Sequence, residues 1–238
     1  ASDVYKRQIF MSDQDDRWLP RRVETFIKIF EEHPDMESLA TTFSRFNEGR
    51  IISKKAKHPI RKKNGLKRIS MKEFCRFPGY LGMSCAFRRR LLNKIHTSFD
   101  GLTHDVFINF YATLNGGLYY LDQVLTERRS YGESVSNIAG RAIANQQYNG
   151  NMYLVEMTRM KRYYCHFRKY LGDESNCNKQ FASHMKQIDK YTNIMETRIT
   201  NLKDRLKVKY LINTPMYFAY FGFRKVCKDL LHLVDLKE

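Results

Sequence analysis

The chain has 238 residues, enough for one sizeable domain or a domain with an appendage, and with 42% hydrophobic residues, 16 Phe and 15 Tyr it can fill a real core. Its 42 Lys and Arg against 25 Asp and Glu give a net charge of +17, which asks for an anionic partner: nucleic acid, phospholipid or a phosphate-rich substrate. Cys75, Cys85, Cys165, Cys177 and Cys227 are scattered without C-x-x-C spacing, which argues against a zinc site or disulfide framework and suits reduced thiols in the cytoplasm. No apolar run approaches the ~20 residues of a bilayer span and no signal peptide is visible, so a soluble or peripheral protein is expected.

Ala1 to Gln8 is polar and aperiodic; it reads as a cloning or assembly scar joined to a truncated reading frame, outside the fold. Ile9-Phe10-Met11 reads as the end of a buried strand that opens into a loop at Ser12-Asp13. Leu19-Pro20 starts a helix with Val23, Phe26, Ile27 and Phe30 at helical spacing, closed before Pro34. Residues 36–46 form a strand region and 47–72 a long basic loop without periodicity. Met83 to Phe87 is a short strand behind the turn-rich Phe77-Pro78-Gly79, followed by a helix from about Arg88. His104-Asp105 opens a further helix with Val106, Phe110 and Leu114 on its apolar face; Gly116-Gly117 ends it, and Leu118-Tyr119-Tyr120-Leu121 is a strand.

Beyond about residue 140 the pattern is helical. Met152, Val155, Arg159, Met160, Tyr163 and Phe167 fit one helix. Phe181, Met185, Ile188, Thr192, Met195, Ile199, Leu202 and Leu206 form a heptad seam over 181–206, which serves either a homodimer or packing within the chain. Thr214-Pro215 is a helix start. Met216, Tyr217, Phe218, Tyr220, Phe221 and Phe223, followed by Arg224, Lys225 and Lys228, suit either a membrane interface or a core.

Asp13, Asp15 and Asp16 repel one another unless a cation is present, which suggests a hard divalent ion held through oxygen. An acidic turn favoured by the dipole of the following helix is the other reading. At the end of a strand, the cluster would lie where open α/β sheets bind ligands. Residues 50–94 hold fifteen Lys or Arg against one acid, Glu73. That stretch is either a solvated loop or a contact for diphosphate, lipid or a lipid-phosphate-linked acceptor.

Ser12-Asp13-Gln14-Asp15-Asp16-Arg17-Trp18-Leu19-Pro20 resembles the aspartate motif of family-two glycosyltransferases of the bacterial rhamnosyltransferase-like kind. Gly82-Met83-Ser84-Cys85-Ala86-Phe87-Arg88-Arg89 resembles the family's glycine-led strand, and His104-Asp105 leading to Gly117-Leu118-Tyr119-Tyr120-Leu121 resembles the segment carrying its base. The resemblance covers about 9–140. It implies an α/β architecture in which 9–140 is the carboxyl-terminal part of a GT-A catalytic domain and 141–238 a basic helical extension. It further implies sugar transfer from a nucleotide-diphosphate donor to an acceptor hydroxyl with inversion. Asp105 is then the catalytic base; Asp13, Asp15, Asp16, Gly82 and Arg129 bind donor sugar and diphosphate; Mg²⁺ or Mn²⁺ sits on Asp15 and Asp13. The acceptor is a glycan or lipid-linked acceptor in bacterial surface polysaccharide synthesis, at the cytoplasmic face of the plasma membrane.

Two departures qualify this. Tyr131 stands where the family often has histidine and offers no imidazole, so Arg129 alone is carried over as a diphosphate contact. The nucleotide-binding half that should precede Ile9 is absent, so the chain by itself is expected to have little or no activity. The competing class is a non-enzymatic basic module on nucleic acid or anionic membrane. It leaves the carboxylates unexplained and shows no nucleic-acid motif, so no nucleic-acid partner is expected.

Overall fold

The computed structural model describes residues 7–56, 65–95, 102–130, 142, 152–174, 179–204 and 206–233. The chain divides into two compact units, 1–132 and 133–238. The first is mixed α/β and the second is helical.

The first unit is built on a seven-stranded sheet. Its strands are β1 (Gln8–Phe10), β2 (Arg17–Trp18), β3 (Ser38–Asn47), β4 (Arg50–Ser53), β5 (Leu66–Arg68), β6 (Cys85–Arg88) and β7 (Leu118–Arg129). The order is β1-β6-β3-β7-β2, with β4 paired to β3 and β5 to β7. β6 runs antiparallel to both β1 and β3, while β3 and β7 are parallel, so β1, β3 and β7 all point the same way. Helix α1 (Arg22–Glu32) joins β1 and β2 to β3; α2 (Met71–Arg76) precedes β6; α3 (His104–Leu114) leads into β7.

The register explains which residues form the core. Phe10, Ala86, Leu39 and Tyr119 are consecutive partners across four strands. They therefore share one face, where Phe26 and Phe30 of α1 cover them together with Leu121 and Leu125. The next register position turns Ser38 to the other face, where its Oγ donates to Oδ1 of Asn109 on α3 at 2.7 Å. All of α3 from Val106 to Leu114 is buried.

Several expectations change. Gln8 belongs to β1, and the Arg7 carbonyl accepts from the Arg89 amide, so the fold begins before Ile9. Val23 and Ile27 are exposed, whereas Arg22, a charge, is buried. The stretch 47–72 is not one loop: it carries β4, β5 and the start of α2. β4 escapes a periodicity reading because Ile51 and Ile52 are both exposed on a short hairpin. α2 is announced by a capping box in which Ser70 and Glu73 bond one another's backbone amides. Gly82–Ser84 is a 3₁₀ turn, the strand starts at Cys85, and Arg89–Lys94 is a second 3₁₀ turn, not an α-helix. β7 runs on to Arg129, well past Leu121.

The second unit contains α4 (Met152–Glu174), α5 (Lys179–Lys203), α6 (Lys207–Phe221) and α7 (Phe223–Leu233). Ile188, Thr192, Met195 and Leu202 of the heptad seam are buried within the chain, and Leu206 lies beyond α5. Thr214-Pro215 is not a helix start: Pro215 lies inside α6. Its ring removes the amide donor that would serve the Leu211 carbonyl, and next to it Thr214 Oγ1 donates to the Tyr210 carbonyl at 3.0 Å. Tyr217 and Phe221 of the aromatic block point into the unit and are buried, while Phe223 is exposed.

The centre of this unit is polar. Arg198 and Asp229, on α5 and α7, are 1% and 0% exposed and bonded at 2.5 Å. Tyr153 donates to Asp229 Oδ1 at 2.5 Å, Arg198 donates to the Tyr153 hydroxyl at 2.7 Å, and Tyr210 donates to Asp229 Oδ2. Burial and the adjacent Asp229 push the Tyr153 and Tyr210 hydroxyls up, so both remain donors. No described helix is long and apolar enough to cross a membrane.

Candidate functional site

The candidate residues gather at one end of the sheet, the end at which β1, β3 and β7 finish and β6 begins. β1 ends at Phe10, and the Met11 amide still donates to the Cys85 carbonyl at 3.2 Å. The chain then turns through Ser12–Asp16, where the Asp16 amide donates to the Asp13 carbonyl at 3.4 Å. Asp13 is exposed; Asp15 and Asp16 are half-buried.

Three pieces of chain from distant sequence positions meet beside this turn. The Gly82 amide donates to Asp105 Oδ2 at 3.1 Å, and Asp105 Oδ1 accepts the Val106 amide at 2.8 Å. A Cβ on Gly82 would stand 3.4 Å from Asp105 Cβ, 3.5 Å from Met11 Sδ and 3.6 Å from His104 Nε2. Glycine is thus what lets the β1 exit, the start of the 3₁₀ turn and the first turn of α3 come together. Each oxygen of Asp105 keeps a further lone pair, and the carboxylate is half-buried, held by amides and open on one side. His104 is exposed beside it.

Arg22 locks the same region from beneath, and the sequence pattern gave no sign of it. Its guanidinium donates to the Met83 carbonyl at 2.6 Å, to Thr126 Oγ1 on β7, and to the Met11 carbonyl at 3.4 Å. It also lies 4.5 Å from the centre of the Trp18 ring. Burial pulls Arg22 down to about 10, opposed by the neighbouring Cys85 and Asp16, so it stays charged at neutral pH. The residue before it, Arg21, takes the left-handed backbone with φ 66°, a conformation that costs a non-glycine residue of order 1 kcal/mol. A polar residue on the first turn of a helix would ordinarily be assigned to solvent, which is why hydrophobic spacing missed it.

Asp16 connects the acidic turn to β7. Its Oδ1 accepts the Arg129 amide at 2.8 Å. Its Oδ2 is buried and has no hydrogen-bond partner among the described residues. Burial raises the Asp16 pKa, and the charges of Asp15 and Asp13 add to this, against the Arg129 amide and the Arg128 charge. The Arg129 side chain is exposed and lies 5.5 Å from the Phe46 ring centre, with Arg17 at 4.2 Å from the same ring. Tyr131 falls outside the described residues.

Asp13, Asp15 and Asp16 are the carboxylates of this turn. Among the described residues no group of three or more His, Cys, Asp or Glu could hold a metal ion. One or two carboxylates are what Mg²⁺ ordinarily takes from a protein when phosphate and water complete its shell. The buried, unpartnered Oδ2 of Asp16, in a turn with two further carboxylates, is an oxygen of that kind.

Nucleophilic cysteine chemistry is not available here. Cys85, the thiol nearest the site, is buried and pushed up to about 12. Among the described residues, Cys75, Cys85, Cys165 and Cys227 form no disulfide.

The basic stretch divides. Residues 57–64 lie outside the described residues. Arg88 and those after it are carried by β6 to the opposite end of the sheet, where Arg88 donates to the Met36 and Phe30 carbonyls. There Arg90 and Lys94 pair with the buried Glu37 at 3.2 and 2.9 Å. Lys55 pairs with Asp122 at 2.8 Å and Lys67 with Glu73 at 2.6 Å. Much of the described positive charge therefore ties loops to the sheet.

No protein-family model matches this chain. None of the curated proteins matches it either.

Proposed function

We propose that the chain is the catalytic part of a family-two glycosyltransferase with a GT-A fold, transferring a sugar from a nucleotide diphosphate to an acceptor hydroxyl. The observation that carries this reading is the bond between the Gly82 amide and Asp105 Oδ2, with Met11 against the same glycine. What supports it is that two stretches that resemble family motifs separately in sequence meet beside Met11, at the strand ends where α/β sheets bind ligands. The parallel β1, β3 and β7 with the reversed β6 between β1 and β3 are compatible with such a domain.

In the reaction, Asp105 accepts the proton of the acceptor hydroxyl while its oxygen bonds to the anomeric carbon and the carbon–diphosphate oxygen bond breaks. One displacement inverts the centre. The two amides on Asp105 fix the direction of its remaining lone pairs, and Arg129 with Asp16 borders the diphosphate. Mg²⁺ or Mn²⁺ held by Asp15 with Asp13 would supply positive charge against the leaving diphosphate. The acceptor is a glycan or lipid-linked acceptor of a bacterial surface polysaccharide.

The test is calorimetric titration of the chain with pyrophosphate in the presence and absence of Mn²⁺. Metal-dependent binding that is lost in Asp15→Asn and Asp16→Asn and kept in Asp105→Asn is the expected result. Pyrophosphate binding that ignores both Mn²⁺ and the aspartates would sink the reading.

A further inference from the structure

Helix α6 buries one side and leaves the other apolar and bare. Tyr210, Tyr217 and Phe221 face inward and are buried. Val208, Leu211 and Ile212 are 71%, 58% and 72% exposed, and Pro215 and Ala219 are exposed as well. The spacing 208, 211, 212, 215, 219 places all five on one stripe, opposite Tyr210 and Tyr217. A helix apolar on both sides is normally covered on both.

What flanks the stripe identifies the cover. With about 100° of turn per residue, Lys207 and Lys209 fall on either side of Val208, and both are exposed. The helix contains no acidic residue. Two copies packed through this stripe would bring four lysines together with no carboxylate from the helix to pair them. A surface with an apolar interior and anionic headgroups meets both requirements: the aliphatic stripe enters the acyl boundary while the lysine stems run outward to lipid phosphates.

We propose that α6 is a membrane-docking helix, seating Val208, Leu211, Ile212, Pro215 and Ala219 in the interface of an anionic bilayer with Lys207 and Lys209 at the phosphates. Of the aromatic block that the sequence offered for such a contact, Tyr217 and Phe221 are occupied in the unit's own core, whereas Phe223 is exposed. The docking would operate equally in a transferase or in a binding module.

Co-sedimentation of the 238-residue chain with phosphatidylcholine vesicles, plain or doped with phosphatidylglycerol, tests it. The double variant Val208→Ser, Ile212→Ser keeps the charge and removes apolar area, and should lower partitioning about tenfold or more. Lys207→Ala with Lys209→Ala should lower binding to doped vesicles roughly 25-fold, about fivefold per lysine. Far-UV circular dichroism and thermal melts unchanged from wild type establish that both variants fold. No sedimentation with doped vesicles overturns the proposal. So does sedimentation that the serine pair leaves intact, which would place binding on the chain's general positive charge. A dimer by light scattering that the serine pair dissociates, with no vesicle binding, would also overturn it and assign the stripe to a second copy.

Discussion

The backbone amide of Gly82 points at Oδ2 of Asp105, 3.1 Å away, and a side chain on that glycine would stand between Asp105, Met11 and His104. The pairing orients the carboxylate without using it up. Asparagine has one acceptor oxygen for the two amides that Asp105 serves, Gly82 and Val106, so Asp105→Asn should cost about 1–2 kcal/mol in stability. The proposed role of Asp105 as general base predicts that the same change lowers kcat of sugar transfer by about 100- to 10,000-fold. Gly82→Ala places a methyl at the near limit of contact with Asp105. It should fold, and if Asp105 is the base proposed above it should cost about tenfold in kcat through displacement of that carboxylate. A fully active Asp105→Asn enzyme would remove Asp105 from the chemistry.

Arg22 gives a different signature. Its guanidinium serves the Met83 and Met11 carbonyls and Thr126 from a buried position. Arg22→Met leaves those acceptors without their donor and should cost roughly 2–4 kcal/mol, read from urea denaturation followed by Trp18 fluorescence. Arg22→Lys keeps a charge but lacks the fork that reaches several oxygens at once, and should recover only part of the loss. Equal stability of the methionine variant and wild type would show that this network contributes nothing.

The order of elements was legible where hydrophobic period and punctuation agree. Phe26 and Phe30 marked α1, Gly116-Gly117 marked the end of α3, and the heptad pattern marked α5. It failed where short segments draw their stability from neighbours: β4 and β5 are four and three residues long and gain their bonds from β3 and β7. Asp105 and Gly82 were singled out by motif order, and the contact between them is a tertiary fact no spacing contains. Arg22 was invisible because its burial is bought by acceptors from three remote segments. Pro215 misled because Pro is commoner at a helix start than inside one.

Glu73 carries a pH dependence. It is partly buried, which alone would raise its pKa, but Lys67 and the Ser70 amide and hydroxyl outweigh this and hold it below its usual 4.5. A lowered folded-state pKa means the carboxylate's stabilisation is complete above the unfolded value and fades as pH falls through the folded one. Glu73→Gln should therefore cost about 1 kcal/mol near neutral pH. The gap between the two melting curves should close as the pH is taken below 4.5. A gap that stays constant across that range would mean the ionised form is not what stabilises the cap.

The buried pair Arg198–Asp229 tests how the helical unit is specified. Asp229 receives bonds from Arg198, Tyr153 and Tyr210, and Arg198 also lies 4.6 Å from the centre of the Phe221 ring. Asp229 offsets burial sufficiently to raise the Arg198 pKa further, so the arginine stays ionised in the folded state. Desolvating both charges takes back most of their attraction, so the pair adds little net stability; breaking it strands a buried charge. Asp229→Ala alone should destabilise the unit by roughly 3–5 kcal/mol. Arg198→Met combined with Asp229→Leu should lose much less than the single change, because no charge remains to be solvated, although Tyr153 and Tyr210 then lack their acceptor. Thermal unfolding followed by far-UV circular dichroism distinguishes these cases. If the double variant is as unstable as Asp229→Ala, the tyrosine hydroxyls rather than the stranded guanidinium carry the cost, and the network rather than the ion pair holds α4, α6 and α7 on α5.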